Sequence, residues 1–94
     1  MLTINIRKID GVVFFDLVGN LTKGAAVTQV RDAIQARMNA GELQFVLDFR
    51  HVKYIDDYGL EALFRTRRAI SDHGGELQLL NLDPPPTGLP LTFN

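Results

Sequence analysis

The spacing of hydrophobic residues predicts two adjacent strands at the start of the chain. Residues 2–7 read Leu-Thr-Ile-Asn-Ile-Arg, with an apolar residue at every second position, which is typical of a half-buried strand. Residues 12–18 are apolar on both faces for most of their length, which indicates a more interior strand. Asp10-Gly11 lies between the two runs, and this pair favours a two-residue hairpin turn because such a turn needs positive φ. We therefore expect the two strands to be antiparallel neighbours.

Two later segments repeat apolar residues at helical spacing. In the first segment the apolar stripe consists of Ala26, Val27, Val30, Ile34 and Met38. Thr22 is expected to cap this helix at its start, and Gly41 is expected to end it. The second helix is predicted over residues 58–73, and Gly74-Gly75 provides its end.

Two further strands complete the pattern, and together the elements define a fold class. Apolar runs predict strands over 44–49 and 76–82, with a loop over 50–58, so the order of elements is ββαβαβ. Right-handed crossovers would place both helices on one face of a mixed sheet of four to five strands. We therefore predict a single α/β domain over residues 1–83. The prolines all lie in residues 84–94, which predicts an extended or loosely ordered C-terminal tail.

Composition narrows the classes of function. The 94 residues suffice for one domain, and 46% apolar with 22% charged residues is typical of a globular protein. Ten basic against eleven acidic residues give a net charge of −1, which argues against nucleic-acid binding because such proteins carry excess positive charge. The absence of cysteine excludes disulfides and thiolate metal sites. Because there is neither a signal-peptide pattern nor a run of about 20 apolar residues, we expect a cytoplasmic location without direct membrane insertion.

The sequence Asp56-Asp57-Tyr58-Gly59-Leu60 stands where the third strand gives way to the second helix. In open α/β sheets, ligands bind beyond the carboxyl ends of the parallel strands. A helix N-terminus also has unpaired N–H groups and a partial positive charge, which favour an anion or a docked partner. We therefore predict that this junction is the functional site.

The segment 45–63, which reads Phe-Val-Leu-Asp-Phe-Arg-His-Val-Lys-Tyr-Ile-Asp-Asp-Tyr-Gly-Leu-Glu-Ala-Leu, resembles the signature of STAS domains, the family of bacterial anti-sigma-factor antagonists. In that signature a buried strand containing aspartate is followed by Asp-Ser-Ser-Gly-Leu at the start of a helix. Asp48 matches the strand aspartate, whereas Asp56, Gly59 and Leu60 match the ends of the motif. The resemblance covers the whole predicted domain and implies a protein-binding role in transcription regulation or signalling. The partner-binding residues that it implies are Asp56, Asp57, Tyr58, Gly59, Leu60 and Leu63.

The resemblance also implies partner switching, in which a kinase that doubles as an anti-sigma factor phosphorylates the second serine of the motif. Asp57 and Tyr58 occupy the two serine positions, so Tyr58 stands at the phosphorylation position, and Ser71 is the only serine in the chain. A serine switch is therefore unavailable at the motif. We favour constitutive binding of an anti-sigma factor or serine-kinase-like partner over a permanently inactive form with Asp57 as the anion, because a carboxylate mimics phosphate only in part. The alternative is a STAS subunit of a transporter complex or signalling scaffold. The sequence also leaves open whether the chain forms a homo-oligomer.

The motif residues have structural interpretations as well. At least one of Asp56 and Asp57 is expected to cap the second helix, with Asp57 preferred, and Tyr58 is expected to pack beside Tyr54 over the loop. Gly59 is expected to allow close approach of another backbone segment, either from this chain or from a partner. On that basis Gly59→Arg would block partner binding and barely change the fold.

Catalytic and metal-binding roles have little support. Asp48, Asp56 and Asp57 carry the carboxylates that Mg²⁺ prefers, yet no phosphate-binding lysine motif accompanies them. His51 and His73 have no ligands at metal-binding spacing, and His73 is better explained by the dipole at the end of the second helix. The sequence shows no nucleophile–base pair and no glycine-rich phosphate loop. We therefore expect no catalytic residue, no metal and no cofactor, and hence no enzyme.

Overall fold

A computed structural model describes residues 1–82 of the chain. The elements in chain order are β1 Leu2–Ile9, β2 Val12–Leu21, α1 Ala25–Asn39, β3 Gln44–Ile55, α2 Asp57–Asp72 and β4 Glu76–Leu80. The predicted order ββαβαβ is confirmed, and these elements form one small α/β domain with a four-stranded sheet. The predicted tail, residues 84–94, lies outside the described residues.

The sheet is mixed and has the strand order β1-β2-β3-β4. β1 pairs antiparallel with β2, beginning with Ile9 opposite Val12, and the intervening Asp10 and Gly11 have φ values of 50° and 81°. Two consecutive positive values are those of a two-residue primed turn, so the predicted hairpin is confirmed. β2, β3 and β4 are parallel, and α1 and α2 connect them as crossovers.

Both helices pack on one face of the sheet, and the hydrophobic core lies between the helices and the strands. Along β2 and β3 the core residues mostly alternate with residues of the other face, because successive side chains of a strand point to opposite faces. Phe15 of β2 and Phe45 of β3 stack there with their ring centroids 6.0 Å apart. The largest fully buried side chains are Phe15, Phe45, Leu17, Leu21, Ile34, Leu47, Ile70 and Val13.

β3 is longer than the sequence predicts. Residues 50–55, expected as part of a loop, continue this strand to Ile55. They do so because β2 also extends to Leu21, and the two strands keep pairing from Val18 opposite His51 to Leu21 opposite Ile55, after a shift in register. The prediction of a loop over 50–58 is therefore wrong. Only one residue separates the end of β3 from the start of α2.

α1 begins later than predicted, and its start is not capped by Thr22. The helix starts at Ala25, its N-cap is Gly24 with a φ of 103°, and no side chain of the described residues caps it. A positive φ at this position favours glycine, and the turn that it makes leaves Thr22 too early in the chain to cap the helix. The predicted end is confirmed, because Gly41 has a φ of 93° and its amide donates to the carbonyl of Met38 at 2.9 Å.

Candidate functional site

The junction between β3 and α2 is organised by Asp56. Its Oδ1 accepts a hydrogen bond from the amide of Gly59 at 2.8 Å, which makes Asp56 the N-cap of α2. Its Oδ2 accepts a hydrogen bond from the amide of Lys23 at 2.9 Å. The amide of Asp56 itself donates to the carbonyl of Leu21 at 3.3 Å. Since Leu21 ends β2 and Lys23 follows it, one aspartate fixes the start of α2 to the end of the neighbouring strand.

The same amides hold the pKa of Asp56 below its ordinary value. The amide of Lys23 contributes most, desolvation acts in the opposite direction, and the amides of Gly59 and Tyr58 lower the pKa further. The carboxylate is therefore charged at neutral pH, where it also interacts favourably with the N-terminal end of the helix dipole. The expectation that one of the two aspartates caps α2 is confirmed by Asp56, whereas the preference for Asp57 is wrong: Asp57 lies exposed in the first turn of α2.

Gly59 is buried where α2 passes over the end of β2. A Cβ atom at this position would lie 2.3 Å from the carbonyl oxygen of Leu21 and 3.0 Å from Cγ2 of Ile55. The predicted close approach of a backbone is therefore made within the chain. A large side chain here must displace α2 from β2, so the expectation that Gly59→Arg barely changes the fold is wrong.

The accessible part of the junction is formed by Asp57, Tyr58 and Leu60. Tyr58 is 55% exposed, and the Nζ atom of Lys23 lies 4.8 Å from the centroid of its ring. Leu60 is half-buried, whereas Leu63 is 5% exposed and belongs to the core. We call Asp57, Tyr58 and Leu60 the α2-start surface. This surface rests on three residues that lie deeper in the domain, namely Asp56, Gly59 and Leu63.

Lys23 is the site residue that the sequence analysis missed. It lies 33 positions before Asp56, and the motif that identifies the junction does not include it. Its position follows from the parallel pairing of β2 and β3, whose ends lie side by side. Its ammonium group contacts the ring of Tyr58 in a cation–π contact, which the expected packing of that ring beside Tyr54 did not include.

Asp48 does not join Asp56 and Asp57. Its neighbours in β3, Leu47 and Phe49, are buried in the core, so Asp48 points to the helix-free face of the sheet. Its Oδ1 accepts hydrogen bonds from Nδ2 of Asn81 and from the amide of Arg50, both at 2.9 Å. The bond from Asn81 is the main reason that the pKa of Asp48 lies below its ordinary value. Asp48 therefore ties β3 to the residue that follows β4.

The histidines lie apart from this junction. His51 is exposed on β3, and Nδ1 of His73 donates to the carbonyl of Ala69 at 2.8 Å, in the last turn of α2. This contact agrees with the expected role of His73 at the helix end. Within residues 1–82, no group of three or more histidine, cysteine or acidic side chains is placed to hold a metal ion.

The family of the chain follows from its sequence match. The sequence model of the STAS domain family matches residues 3–89, which is most of the chain. The chain belongs to the STAS domain family. The resemblance noted from the motif is confirmed, and the STAS domain described here has the fold that the resemblance implied. A search of curated proteins found no match.

Solved structures resemble this STAS domain in fold. The anti-sigma factor antagonist SpoIIAA in its unphosphorylated form is 24% identical, with a TM-score of 0.73 over 90% of this chain and 76% of that one. A putative anti-sigma factor antagonist from Thermotoga maritima is 21% identical, with a TM-score of 0.73 over 81% of this chain and 65% of that one. Mglu is 22% identical, with a TM-score of 0.70. This STAS domain, 92% of which is covered, spans only 20% of Mglu.

Two of these neighbours are described as anti-sigma factor antagonists. All three neighbours are less than 25% identical to this chain, so they show a shared fold and do not identify a binding partner. Across residues 1–82, no helix is both long and apolar enough to span a membrane.

Proposed function

We propose that this STAS domain is a cytoplasmic protein-binding module without enzymatic activity. It resembles an anti-sigma-factor antagonist and binds an anti-sigma factor or a related kinase-like partner through the α2-start surface. The observation that carries this proposal is the exposure of Asp57 and Tyr58 on a helix start that Asp56 and Gly59 hold in place. A rigid support lowers the entropy lost on binding, so such a surface suits docking of a protein partner.

The chemistry of the surface supports protein binding. Tyr58 offers a large exposed ring with a polar tip, and tyrosine is enriched among residues that dominate binding energy. Asp57 adds an exposed carboxylate in the first turn of α2. Leu60 adds a half-buried apolar side chain from the same turn. An aromatic anchor with a polar rim is the usual anatomy of a protein interface.

The proposed binding is constitutive. Residues 52–64 contain neither serine nor threonine, so a serine kinase has no acceptor at this surface. Asp57 supplies one negative charge, whereas a phosphoserine would supply about 1.5 to 2 charges and three acceptor oxygens. A serine kinase therefore cannot change the charge of this surface, and binding is not interrupted by serine phosphorylation.

Affinity capture from the native cell, followed by mass spectrometry, tests this proposal. The tagged chain should retain a kinase-like anti-sigma factor, and Asp57→Lys should lose it. Asp72→Lys is the matched control, because Asp72 is an exposed aspartate at the opposite end of the same helix. Retention by the Asp57 variant at the wild-type level would contradict the proposed surface.

The identity of the captured protein also separates the two kinds of partner. A permease or another membrane-transport component would favour a STAS subunit of a transporter complex, and an assembly protein would favour a scaffold. Both alternatives use a permanent partner, which the missing serine also permits. A kinase-like anti-sigma factor would favour the regulatory proposal.

A further inference from the structure

A groove of about 380 Å³ runs between α1 and α2 on the side of the helices away from the sheet. Its floor is mostly apolar and is formed by Val27, Ile34, Met38, Ala62, Thr66 and Ala69. The three side chains that α2 contributes to the floor are small, so a third helix could pack closely against α1 and α2 there. Tyr58 and Lys23 line one end, which makes the groove continuous with the α2-start surface.

The charges along the groove are mainly positive. Lys23, Arg31 and Arg65 line it together with a single carboxylate, that of Glu61. Glu61 is already paired with Arg65 at 2.7 Å, and Arg31 contacts the exposed Asp32 only at 3.7 Å. The groove is therefore basic on a chain whose net charge is −1. A complementary occupant carries acidic groups beside an apolar stripe.

The length of the groove fits a short helix. On α1 its lining runs from Val27 to Met38, and on α2 it runs from Tyr58 to Ala69. With a rise of 1.5 Å per residue, each wall is about 16 Å long, or three helical turns. A helix of three turns can place apolar residues on the floor along this whole length.

We propose that the groove between α1 and α2 binds an acidic amphipathic helix of the protein partner. This inference rests on the proposed function and specifies which part of the partner lies beside the α2-start surface. The apolar stripe of the partner helix covers the floor, and its carboxylates face Lys23, Arg31 and Arg65. This is the groove mode of helix recognition, with anchors at intervals of three and four residues.

A helix suits the groove better than a small molecule does. Small-molecule sites orient their ligand with a few polar groups placed within an apolar pocket. Within the part of the chain that the structure describes, Thr66 is the only buried polar side chain, and no buried side-chain nitrogen or oxygen lacks a partner. The charged groups lie at the rims, where they meet the flanks of a helix.

The test uses the full-length chain labelled with ¹⁵N and two synthetic peptides of about 18 residues, a length at which helix formation becomes favourable. Both peptides carry the same leucine stripe, and one has glutamate at the flanking positions where the other has lysine. The acidic peptide should bind at least about tenfold more tightly at 0.15 M salt. Its binding should shift the resonances of Val27, Ile34 and Ala69. Equal affinity for the two peptides, or shifts confined to other surfaces, would overturn the proposal.

Charge reversal in the groove provides the matched comparison. The double variant Arg31→Glu/Arg65→Glu should bind the acidic peptide at least about fivefold more weakly, since two attractive contacts become repulsive. Arg50→Glu/Arg68→Glu makes the same change in net charge at exposed arginines that do not line the groove, and should change the affinity less than twofold. Arg31→Glu alone, at a side chain 66% exposed, keeps the test valid if the double variant unfolds. Equal losses in both double variants would refute groove binding.

Binding of the captured partner by the two kinds of variant distinguishes this inference from the proposed function. If Asp57→Lys weakens binding of the partner and Arg31→Glu/Arg65→Glu does not, the groove proposal fails and the proposal for the α2-start surface is retained. If only the groove variant weakens the partner, the groove is supported and the α2-start surface is contradicted. Dimerisation of the chain through the groove, detected by sedimentation equilibrium and removed by the groove variant, would identify a second copy as the occupant and overturn the proposal.

Discussion

Replacing Gly59 with alanine should destabilise the domain, although alanine favours helices. The added Cβ would lie 2.3 Å from the carbonyl oxygen of Leu21. That oxygen cannot move away freely, because it belongs to the last residue of β2 and accepts the hydrogen bond from the amide of Asp56. Overpacking costs about 1–3 kcal/mol, whereas the helix propensity of alanine returns about 1 kcal/mol at most. Because the clash is with a backbone atom, the cost should lie in the upper half of that range, and we expect a net loss of about 1–2 kcal/mol.

Thermal and urea unfolding followed by circular dichroism measure this loss. For a domain of this size, each kcal/mol lowers the melting temperature by about 4–8 °C, so a decrease of roughly 5–15 °C is expected. Ser71→Ala is the control for helix propensity, because Ser71 is exposed in the same helix, and it should leave the melting temperature unchanged or slightly raised. If Gly59→Ala is as stable as the wild type, the contact with Leu21 does not constrain the start of α2.

Two further results are expected. Asp56→Ala should destabilise the domain at pH 7; because the folded pKa of Asp56 is depressed, its contribution is present above the unfolded pKa of about 4 and is lost as the pH falls through the folded value. Urea unfolding from pH 7 to pH 2 should therefore show the wild type and this variant converging in acid, and a constant difference would refute the role of the charged cap. Incubation with a partner-switching serine kinase and ATP should leave residues 52–64 unmodified, whereas Tyr58→Ser restores an acceptor and should become phosphorylated if the captured partner is such a kinase. Phosphate on the wild-type segment, detected by mass spectrometry, would contradict constitutive binding.

The elements of this fold could be predicted because their signals are local. The alternation in β1, the Asp10-Gly11 turn and the helical stripes each lie within one short segment, and the structure contains all three elements. The order of elements and the rule for crossovers then placed the junction at the carboxyl end of β3. Strand pairing and local pattern agree at these positions, so the sequence was sufficient to predict the elements.

Contacts between distant parts of the chain account for the errors. The cap was assigned to Asp57 because both aspartates suit the start of a helix, and only the contact of Asp56 with Lys23 distinguishes them. Gly59 looked available to a partner because the sequence does not reveal that Leu21 passes beside it. Residues 50–55 looked like a loop because their polar side chains hide the pairing with the end of β2.

The most direct test of the central claim compares two exposed tyrosines near the junction. Tyr58 is 55% exposed at the start of α2, and Tyr54 is 60% exposed on β3. Ile55 packs against the core, so the adjacent Tyr54 points to the helix-free face. The measurement is the dissociation constant of the captured partner, by calorimetry, for Tyr58→Ala and Tyr54→Ala.

A tyrosine that anchors an interface costs about 2 kcal/mol or more when truncated, which corresponds to roughly thirtyfold in affinity. We predict that Tyr58→Ala lowers the affinity for the partner by at least about tenfold and that Tyr54→Ala changes it less than about threefold. Wild-type affinity for Tyr58→Ala, or an equal loss for both variants, would contradict binding through the α2-start surface.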